Sequence, residues 1–189
     1  MGFNCVRLVF SLELYISNPV VENASVSANP QLFGLTGMEV FDKTVESLTN
    51  AGVMVILNNH ISDAKWCCSL TDGNGLWYNP RYSIYEFLTT LVDLTLRYKS
   101  NPMVIGNDLR NEIRDDFNHL EIPNWGKRDL NDWHLAATTA GNLILSVNPD
   151  QLIIVEGMNY ANDMSPIKDK PIELKVPNKL VYSFHSYSW

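Results

Sequence analysis

The chain has 189 residues, of which 46% are hydrophobic, and it carries a formal net charge of −7. This length is enough to bury one sizeable hydrophobic core. The acidic balance argues against nucleic acid and anionic membranes as partners, because both select basic patches. The sequence contains no run of about 18 apolar residues, so it predicts no transmembrane helix.

The first half of the chain alternates strand and helix patterns. An almost continuous apolar strand is predicted over residues 4–10, and a loop rich in Asn, Ser, Pro and Gly over 17–36. A helix is predicted over 37–50, ended by Ala51-Gly52. The next strand, 53–57, is apolar throughout, which is typical of a strand buried on both faces of a parallel sheet.

A long loop follows that strand and leads to the central pattern of the chain. Ser83 and Glu86 form a capping-box pattern that opens a helix running to about Tyr98. The strand predicted next, 103–105, leads into an amide and a carboxyl side by side, Asn111 and Glu112.

The second half repeats the same alternation. A polar loop over 115–128 precedes a helix predicted over 129–147, and a buried strand follows at 152–155. The segment 158–178 contains three prolines and predicts no clear helix, and the last strand is predicted over 179–184.

The three helices each show an apolar stripe at helical spacing, which predicts the side that they bury. These stripes are Phe41, Val45 and Leu48; then Ile84, Phe87, Leu88, Leu91 and Leu94; then Trp133, Ala136, Ala137, Ala140 and Ile144.

Strands separated by helices indicate repeated βα units and a parallel sheet. This periodicity alone does not distinguish an open sheet from a closed barrel. The open class often carries a GxGxxG or GxxxxGK[ST] phosphate loop, and the sequence has neither. Polar groups follow four of the strands, and in a barrel such strand ends meet at the rim that holds the active site. These groups are Arg7, His60, Asn111-Glu112 and the pair His185 and Tyr187.

The cysteines are Cys5, Cys67 and Cys68, with no CxxC spacing and no histidine at metal-ligand spacing beside them. We therefore expect no metal and no cofactor. Adjacent cysteines rarely bridge to each other, so the odd number predicts at least one free thiol in the isolated chain. Met1 is followed at once by a strand-like segment, which predicts no signal peptide and either an intracellular protein or an internal piece of a longer precursor.

Four short motifs resemble, in this order, those of the family 5 glycoside hydrolases, the cellulase family of clan A. They are Val6-Arg7-Leu8, Asn58-Asn59-His60, Leu109-Arg110-Asn111-Glu112 and Phe184-His185-Ser186-Tyr187. The loop segments 59–69 and 72–78 resemble the branch of this family found in plants, oomycetes and fungi. The resemblance covers essentially the whole chain.

The resemblance implies a (β/α)8 barrel and retaining hydrolysis of β-linked polysaccharide or oligosaccharide. Glu112 would be the acid/base, and Asn111 would bind the sugar 2-hydroxyl. Arg7 would hold the nucleophile ionised, Tyr187 would orient it, and His60 and His185 would line the subsite at the scissile bond. Three tryptophans are candidate sugar platforms: Trp66, Trp77 and Trp189.

This chemistry needs two carboxyl groups about 5 Å apart, one as nucleophile and one first as acid and then as base. The acid needs a raised pKa, and the nucleophile must stay ionised. The family places its nucleophile, a glutamate, at the end of the seventh strand. Counting the strand at Val6 as the second, the five predicted strands end with the sixth, and the resemblance gives Glu156 no nucleophilic role.

We therefore predict one domain over 1–189, a partial catalytic domain of α/β class: an incomplete TIM barrel with strands two to six. Five parallel strands with two open edges cannot close a barrel, so we expect this chain alone to be inactive and poorly soluble or marginally folded. The resemblance favours an extracellular or cell-wall location.

Two other functions stay open at this stage: a non-catalytic carbohydrate-binding module, and a truncated product without function. The sequence does not distinguish the sugar, its linkage, or endo from exo cutting. Trp133 is predicted to be core, His119 and His134 are predicted on a loop and a helix surface, and Trp125 fits either a core or a site position.

Overall fold

The computed structural model describes residues 2–188 of the chain. Its centre is a five-stranded sheet with strand order β1-β2-β3-β4-β5, in which every neighbouring pair is parallel. The α/β class and the consecutive parallel strands predicted from the sequence are confirmed. The strands are β1 Cys5–Ser11, β2 Met54–Ile61, β3 Val104–Asp108, β4 Leu152–Glu156 and β5 Leu180–Ser183.

Three long helices cross between the strands, and three short ones follow strands or lie in loops. The long helices begin at side-chain caps, including the predicted Ser83–Glu86 capping box and a second box formed by Thr36 and Glu39. The helices are α1 Leu12–Ser17, α2 Gly37–Asn50, α3 Ile84–Arg97, α4 Trp133–Val147, α5 Met158–Ala161 and α6 Ser165–Asp169.

The fourth helix begins four residues later than the sequence pattern predicts. The carboxylate of Asp132 accepts hydrogen bonds from the backbone N–H groups of Gly126, Arg128 and Leu135. It thereby caps α4 and holds the preceding residues in a turn, so the helix begins only at Trp133.

The strand β2 extends beyond the predicted end at residue 57 and runs through the polar triplet Asn58-Asn59-His60. Asn58 and Asn59 stay paired with Val9 and Phe10 of β1, and His60 is the extra residue at a register shift before Ile61 pairs with Ser11. Polar side chains look like a loop in sequence, but here they belong to a strand whose end is inside the protein.

The core lies between the sheet and the long helices. The predicted apolar faces of α2, α3 and α4 all contribute to it, and Trp133 is fully buried as expected. Trp77 is also fully buried, with its ring centroid 5.2 Å from that of Trp133. Its prediction as a sugar platform is therefore wrong, because its side chain is enclosed in the core and has no surface left for a sugar.

Several short helices lie outside the elements predicted from the sequence. Residues 12–17 form α1, capped by Ser11, and the loop 17–36 contains two 3-10 turns. The segment 158–178 contains the short helices α5 and α6. Among residues 2–188, no helix is both long enough and apolar enough to cross a membrane.

Candidate active site

The parallel strands place their carboxyl ends at one edge of the sheet, and the polar residues predicted from the sequence meet there. Arg7 Nη2 donates to Asn111 Oδ1 at 2.8 Å, linking the first strand to the segment after the third. His185 Nδ1 lies 2.7 Å from Glu112 Oε1, and the Tyr187 hydroxyl donates to the same oxygen. His60 lies at the end of β2, beside Asn58.

Glu112 is held in an uncommon backbone conformation. Its φ of 47° lies in the left-handed region, which costs a residue with a side chain more than it costs glycine. The neighbouring groups hold it there: its N–H donates to Glu156 Oε2 at 2.7 Å, and its carbonyl accepts from Arg114 Nη1 at 3.1 Å. The backbone thus directs the carboxyl toward His185 and Tyr187.

Glu156 lies behind Glu112 and has no exposed surface. Its Oε1 accepts from Arg7 Nη2 at 2.5 Å and lies 3.3 Å from His185 Nε2. Burial acts to raise the pKa of Glu156, but the hydrogen bonds from His185 and the Glu112 amide, with the charge of Arg7, outweigh burial and lower it. A fully buried carboxylate with these partners is suited to positioning its neighbours, not to contacting a sugar.

Arg7 is shared between two buried carboxylates. Its Nε donates to Asp108 Oδ2 at 2.5 Å, while Nη2 bonds Glu156. Burial and the nearby charge of Glu156 raise the pKa of Asp108 to about 7, against the opposing effect of Arg7. One guanidinium therefore holds two acids whose pKa values are driven apart, Glu156 downward and Asp108 upward.

His185 bridges the two glutamates with its two ring nitrogens. Its hydrogen bond to Glu156 is the largest of the effects that raise its pKa to about 9, and Glu112 adds to it against burial. The imidazole is therefore a cation at neutral pH. The hydrogen bond with Glu112 also raises the pKa of Tyr187 to about 12.

The pKa of His60 is shifted in the opposite direction to that of His185. Burial, together with the charges of Arg7 and Arg110, lowers its pKa to about 4, so the ring is neutral at neutral pH. Its Nδ1 lies 2.9 Å from Asn58 Oδ1. Because a neutral imidazole has one N–H and a carbonyl oxygen only accepts, Nδ1 carries the proton.

Two buried arginines fix the long loop between β2 and α3 against the site. Arg110 donates to Asn59 Oδ1 at 2.9 Å and to the Asn74 carbonyl at 2.8 Å. Arg114 forms an ion pair with Asp72 at 2.6 Å. Both guanidiniums are almost fully buried, so the loop is anchored from inside the protein.

The same loop brings Cys67 and Cys68 to the site. They are joined to each other by a disulfide, contrary to the expectation for adjacent cysteines, while Cys5 is free. Asn111 Nδ2 lies 3.9 Å from Cys67 Sγ and 3.7 Å from Cys68 Sγ. The loop folds so that both sulfurs face this amide, which a spacing rule along the sequence does not capture.

The aromatic platforms predicted from the sequence have different outcomes. Trp66 is 94% exposed beside the disulfide, whereas Trp77 is in the core. Trp189 lies outside the described residues. Trp125 is partly buried and donates from Nε1 to the Lys170 carbonyl, so it has a structural position.

The sequence reasoning did not assign Asp108 or Glu156 to the site. Both stand at strand ends, as Glu112 nearly does, so the signal that identified Glu112 was available for them. Glu156 was considered only as a nucleophile and given no such role, and Asp108 belongs to none of the four motifs. Arg110 lies within one of the four motifs but has no predicted role, and nothing in the sequence marks Arg114 as an anchor.

The comparisons with known proteins agree with this arrangement. The family model described as "Cellulase (glycosyl hydrolase family 5)" matches residues 1–189. An endoglucanase of Paenibacillus polymyxa is 34% identical over 202 residues, covering 98% of this chain. The major extracellular endoglucanase of Xanthomonas campestris pv. campestris is 29% identical over 200 residues, covering 99% of this chain.

Solved structures show the same likeness in three dimensions. The catalytic domain of the major endoglucanase from Xanthomonas campestris pv. campestris superposes with a TM-score of 0.84 at 30% identity, covering 99% of this chain and 54% of that one. A cellotetraose complex of the endocellulase from Pyrococcus horikoshii gives a TM-score of 0.82 at 28% identity, with 99% and 54% covered.

The chain spans about half the length of the relatives that it matches: 47% of the P. polymyxa protein and 39% of the X. campestris protein. The five consecutive strands are accordingly part of a barrel in those relatives, and the predicted incomplete TIM barrel is confirmed as the fold class. The match over all 189 residues shows that the chain belongs to glycosyl hydrolase family 5, the cellulase family.

Proposed function

We propose that the protein containing this chain is a retaining hydrolase of β-linked glucan, with Glu112 as its acid/base. The observation that carries the proposal is the Glu112 carboxyl, which is held at the carboxyl edge of the sheet by His185 and Tyr187 and backed by Glu156. Active sites of α/β barrels lie at this edge. The endoglucanases among its relatives, and the cellotetraose bound to one of them, support the substrate class.

In this proposal Glu112 protonates the departing sugar oxygen and then takes a proton from water. The Glu112 side chain is only slightly exposed, and its oxygen is shared by two donors, so its position is fixed before substrate arrives. Asn111, already oriented by Arg7, would bind the sugar 2-hydroxyl. Such a bond strengthens as positive charge develops on the ring.

We propose that the nucleophile comes from a strand that is not among the five described. Glu156 is unsuited, because it has no exposed surface and both of its oxygens already have partners. Arg7 would help to keep the nucleophile ionised. Tyr187 would contact both the nucleophile and Glu112. His60, His185 and the exposed Trp66 would line the sugar subsites. The extracellular relative supports secretion of the protein.

The direct test is hydrolysis by the protein at its natural length. We expect it to cleave cellotetraose and soluble β-glucan, releasing products that keep the β-anomeric configuration. The variant Glu112→Gln should lose these activities by a factor of about 10²–10⁴, which is typical for a general acid. Glu46→Gln, which changes an exposed carboxylate on α2, is the matched control.

The same experiment separates the hydrolase from a binding module. Saturable binding of cellotetraose without any turnover would favour carbohydrate binding and contradict the hydrolase. Wild-type turnover by Glu112→Gln would reject Glu112 as the acid. Isothermal titration calorimetry and chromatography of the released sugars provide the two readouts.

A further inference from the structure

Three side chains at the edge of the site have the donor atoms of a metal centre. His60, Cys67 and Cys68 each place one ligand atom within 4.8 Å of the others, and all three side chains are half-buried. They come from the end of β2 and from the loop after it. An imidazole and two thiolates are ligands that suit thiophilic ions such as Zn²⁺.

The imidazole is prepared to act as a ligand. Its Nδ1–H donates to Asn58 Oδ1 at 2.9 Å, which fixes the orientation of the ring. This bond leaves the lone pair on Nε2. A hydrogen bond from the second ring nitrogen to an oxygen is what orients metal-binding histidines in general.

The surroundings of the sulfurs favour negative charge. The Asn111 amide nitrogen lies 3.9 and 3.7 Å from the two Sγ atoms, and Arg7 donates to the oxygen of the same amide. An amide donor with a guanidinium behind it stabilises a thiolate. While the two sulfurs are joined in the disulfide they are poor metal ligands. Only the reduced cysteine pair would therefore provide two thiolate ligands beside the His60 imidazole.

We propose that reduction of the Cys67–Cys68 disulfide opens a site for one thiophilic divalent ion, held by both thiolates and the His60 imidazole. A dithiol reductant supplies two electrons: the S–S bond breaks, the reductant becomes a disulfide, and its two protons pass to the thiols. Binding of Zn²⁺ then displaces both protons to solvent. The fourth position of the ion would hold water, as in three-ligand zinc sites.

This site shares His60 with the proposed sugar subsites, so a bound ion and a bound sugar would compete for that side chain. The ion would occupy the space next to Asn111, the residue proposed to bind the sugar 2-hydroxyl. Metal binding does not depend on hydrolysis, so failure of one proposal leaves the other testable.

The test uses Cd²⁺ as a spectroscopic probe on the protein at its natural length. Reduced protein, freed of reductant under argon, should bind one equivalent and show the ultraviolet thiolate-to-cadmium charge-transfer band. Oxidised protein should show no such band. Cys67→Ser, Cys68→Ser and His60→Gln should each weaken binding more than about tenfold, since even indirect partners of metal ligands are worth 10–100-fold. Cys5→Ser is the matched control, because Cys5 is the free cysteine on β1.

A second measurement needs no variant and so does not depend on folding of the mutants. Zn²⁺ should slow alkylation of Cys67 and Cys68 by iodoacetamide in the reduced wild type, as followed by peptide mass spectrometry, while Cys5 serves as the internal reference. Equal Cd²⁺ affinity of reduced wild type and Cys67→Ser, or alkylation of Cys67 and Cys68 unaffected by Zn²⁺, would overturn the proposal.

Discussion

Glu112 has a left-handed backbone whose N–H, carbonyl and carboxyl groups all have partners. Such conformations persist where surrounding contacts over-determine them, and they concentrate at functional sites. Part of that support comes from Glu156, which bonds the Glu112 amide and pairs with Arg7. At the residue scale, the site therefore contains two glutamates with different roles. Glu112 presents its carboxyl at the carboxyl ends of the strands, and Glu156 positions Glu112.

The positioning role of Glu156 predicts the behaviour of His185. In Glu156→Gln the largest effect that raises the pKa of His185 is removed. We expect this pKa to fall from about 9 toward the ordinary value of about 6.5. Titration of the histidine ring protons by NMR measures the change, with His185→Gln to assign the signal.

Asp132→Asn is the control for this titration, because it also neutralises a buried carboxylate, but at the cap of α4. It should leave the titration of His185 as in the wild type. An unchanged pKa in folded Glu156→Gln would contradict the positioning role.

The raised pKa of His185 also predicts how stability depends on pH. Its folded-state value of about 9 exceeds the unfolded value of about 6.5, so the stabilisation is complete below pH 6.5 and is lost as pH rises toward 9. Allowing for solvent screening, we expect a loss of about 1–2 kcal/mol.

Urea unfolding of the protein at its natural length, as wild type and as His185→Gln, measures this loss between pH 6 and pH 9. The difference in unfolding free energy between the two should shrink over that interval, whereas His134→Gln, on the surface of α4, should follow the wild type throughout. A difference that stays constant with pH would be inconsistent with a charged His185.

The sequence predicted most of the residues that meet in the site but not all of their contacts. Glu112, Asn111 and His185 were found because each belongs to a short motif after a strand. The bonds of Arg7 to Asp108 and Glu156 were not predictable, since they join residues 101 and 149 positions apart. Trp77 was misassigned because an exposed platform and a core tryptophan look the same in a loop sequence.

At the element scale, the strands were easier to predict than their ends. The apolar runs identified all five, including β1 and β5, which are only partly buried in the structure. The strand predicted over 53–57 was ended before the polar triplet 58–60, although Asn58 and Asn59 continue the ladder with β1. The start of α4 was misjudged because the Asp132 cap depends on a turn that periodicity does not reveal.

Close contact between β3 and β4 predicts that Gly106 cannot be replaced without cost. A Cβ at this position would lie 2.8 Å from the Leu152 carbonyl oxygen and 3.0 Å from Ile154 Cδ1. Because the carbonyl belongs to the neighbouring strand, the sheet itself must shift. We expect Gly106→Ala to lower the free energy of unfolding by about 1–3 kcal/mol, the usual cost of overpacking.

Chemical denaturation of the protein at its natural length, monitored by circular dichroism, measures this effect, with Glu46→Gln on the exposed face of α2 as the control. Wild-type stability of Gly106→Ala would show that the two strands are less tightly packed than the structure indicates.

At the scale of the whole molecule, the sheet has two open edges among the described residues. β1 pairs only with β2, and β5 pairs only with β4. Apolar side chains are exposed on or near these edges, including Val9, Val181 and Phe184. Unpaired edges with apolar surface favour association with other strands.

We therefore predict that the polypeptide 1–189, expressed by itself, self-associates and melts without a sharp transition. Size-exclusion chromatography with light scattering should give masses above 21.5 kDa. Val181→Lys should reduce the association, because a charged residue on an edge strand opposes pairing. A monodisperse 21.5 kDa monomer with a cooperative melt would contradict the prediction.

The central claim is that Glu112 is the acid of a retaining β-glucan hydrolase, and its most direct test is the dependence of Glu112→Ala on the leaving group. The protein at its natural length is assayed with 2,4-dinitrophenyl β-cellobioside, which needs no protonation to depart, and with cellotetraose, which does. We predict that the variant loses about 10²–10⁴ in rate on cellotetraose but keeps most of the rate of forming the glycosyl-enzyme from the activated substrate, with turnover restored by azide. An equal loss on both substrates, or wild-type activity on cellotetraose, would contradict the account.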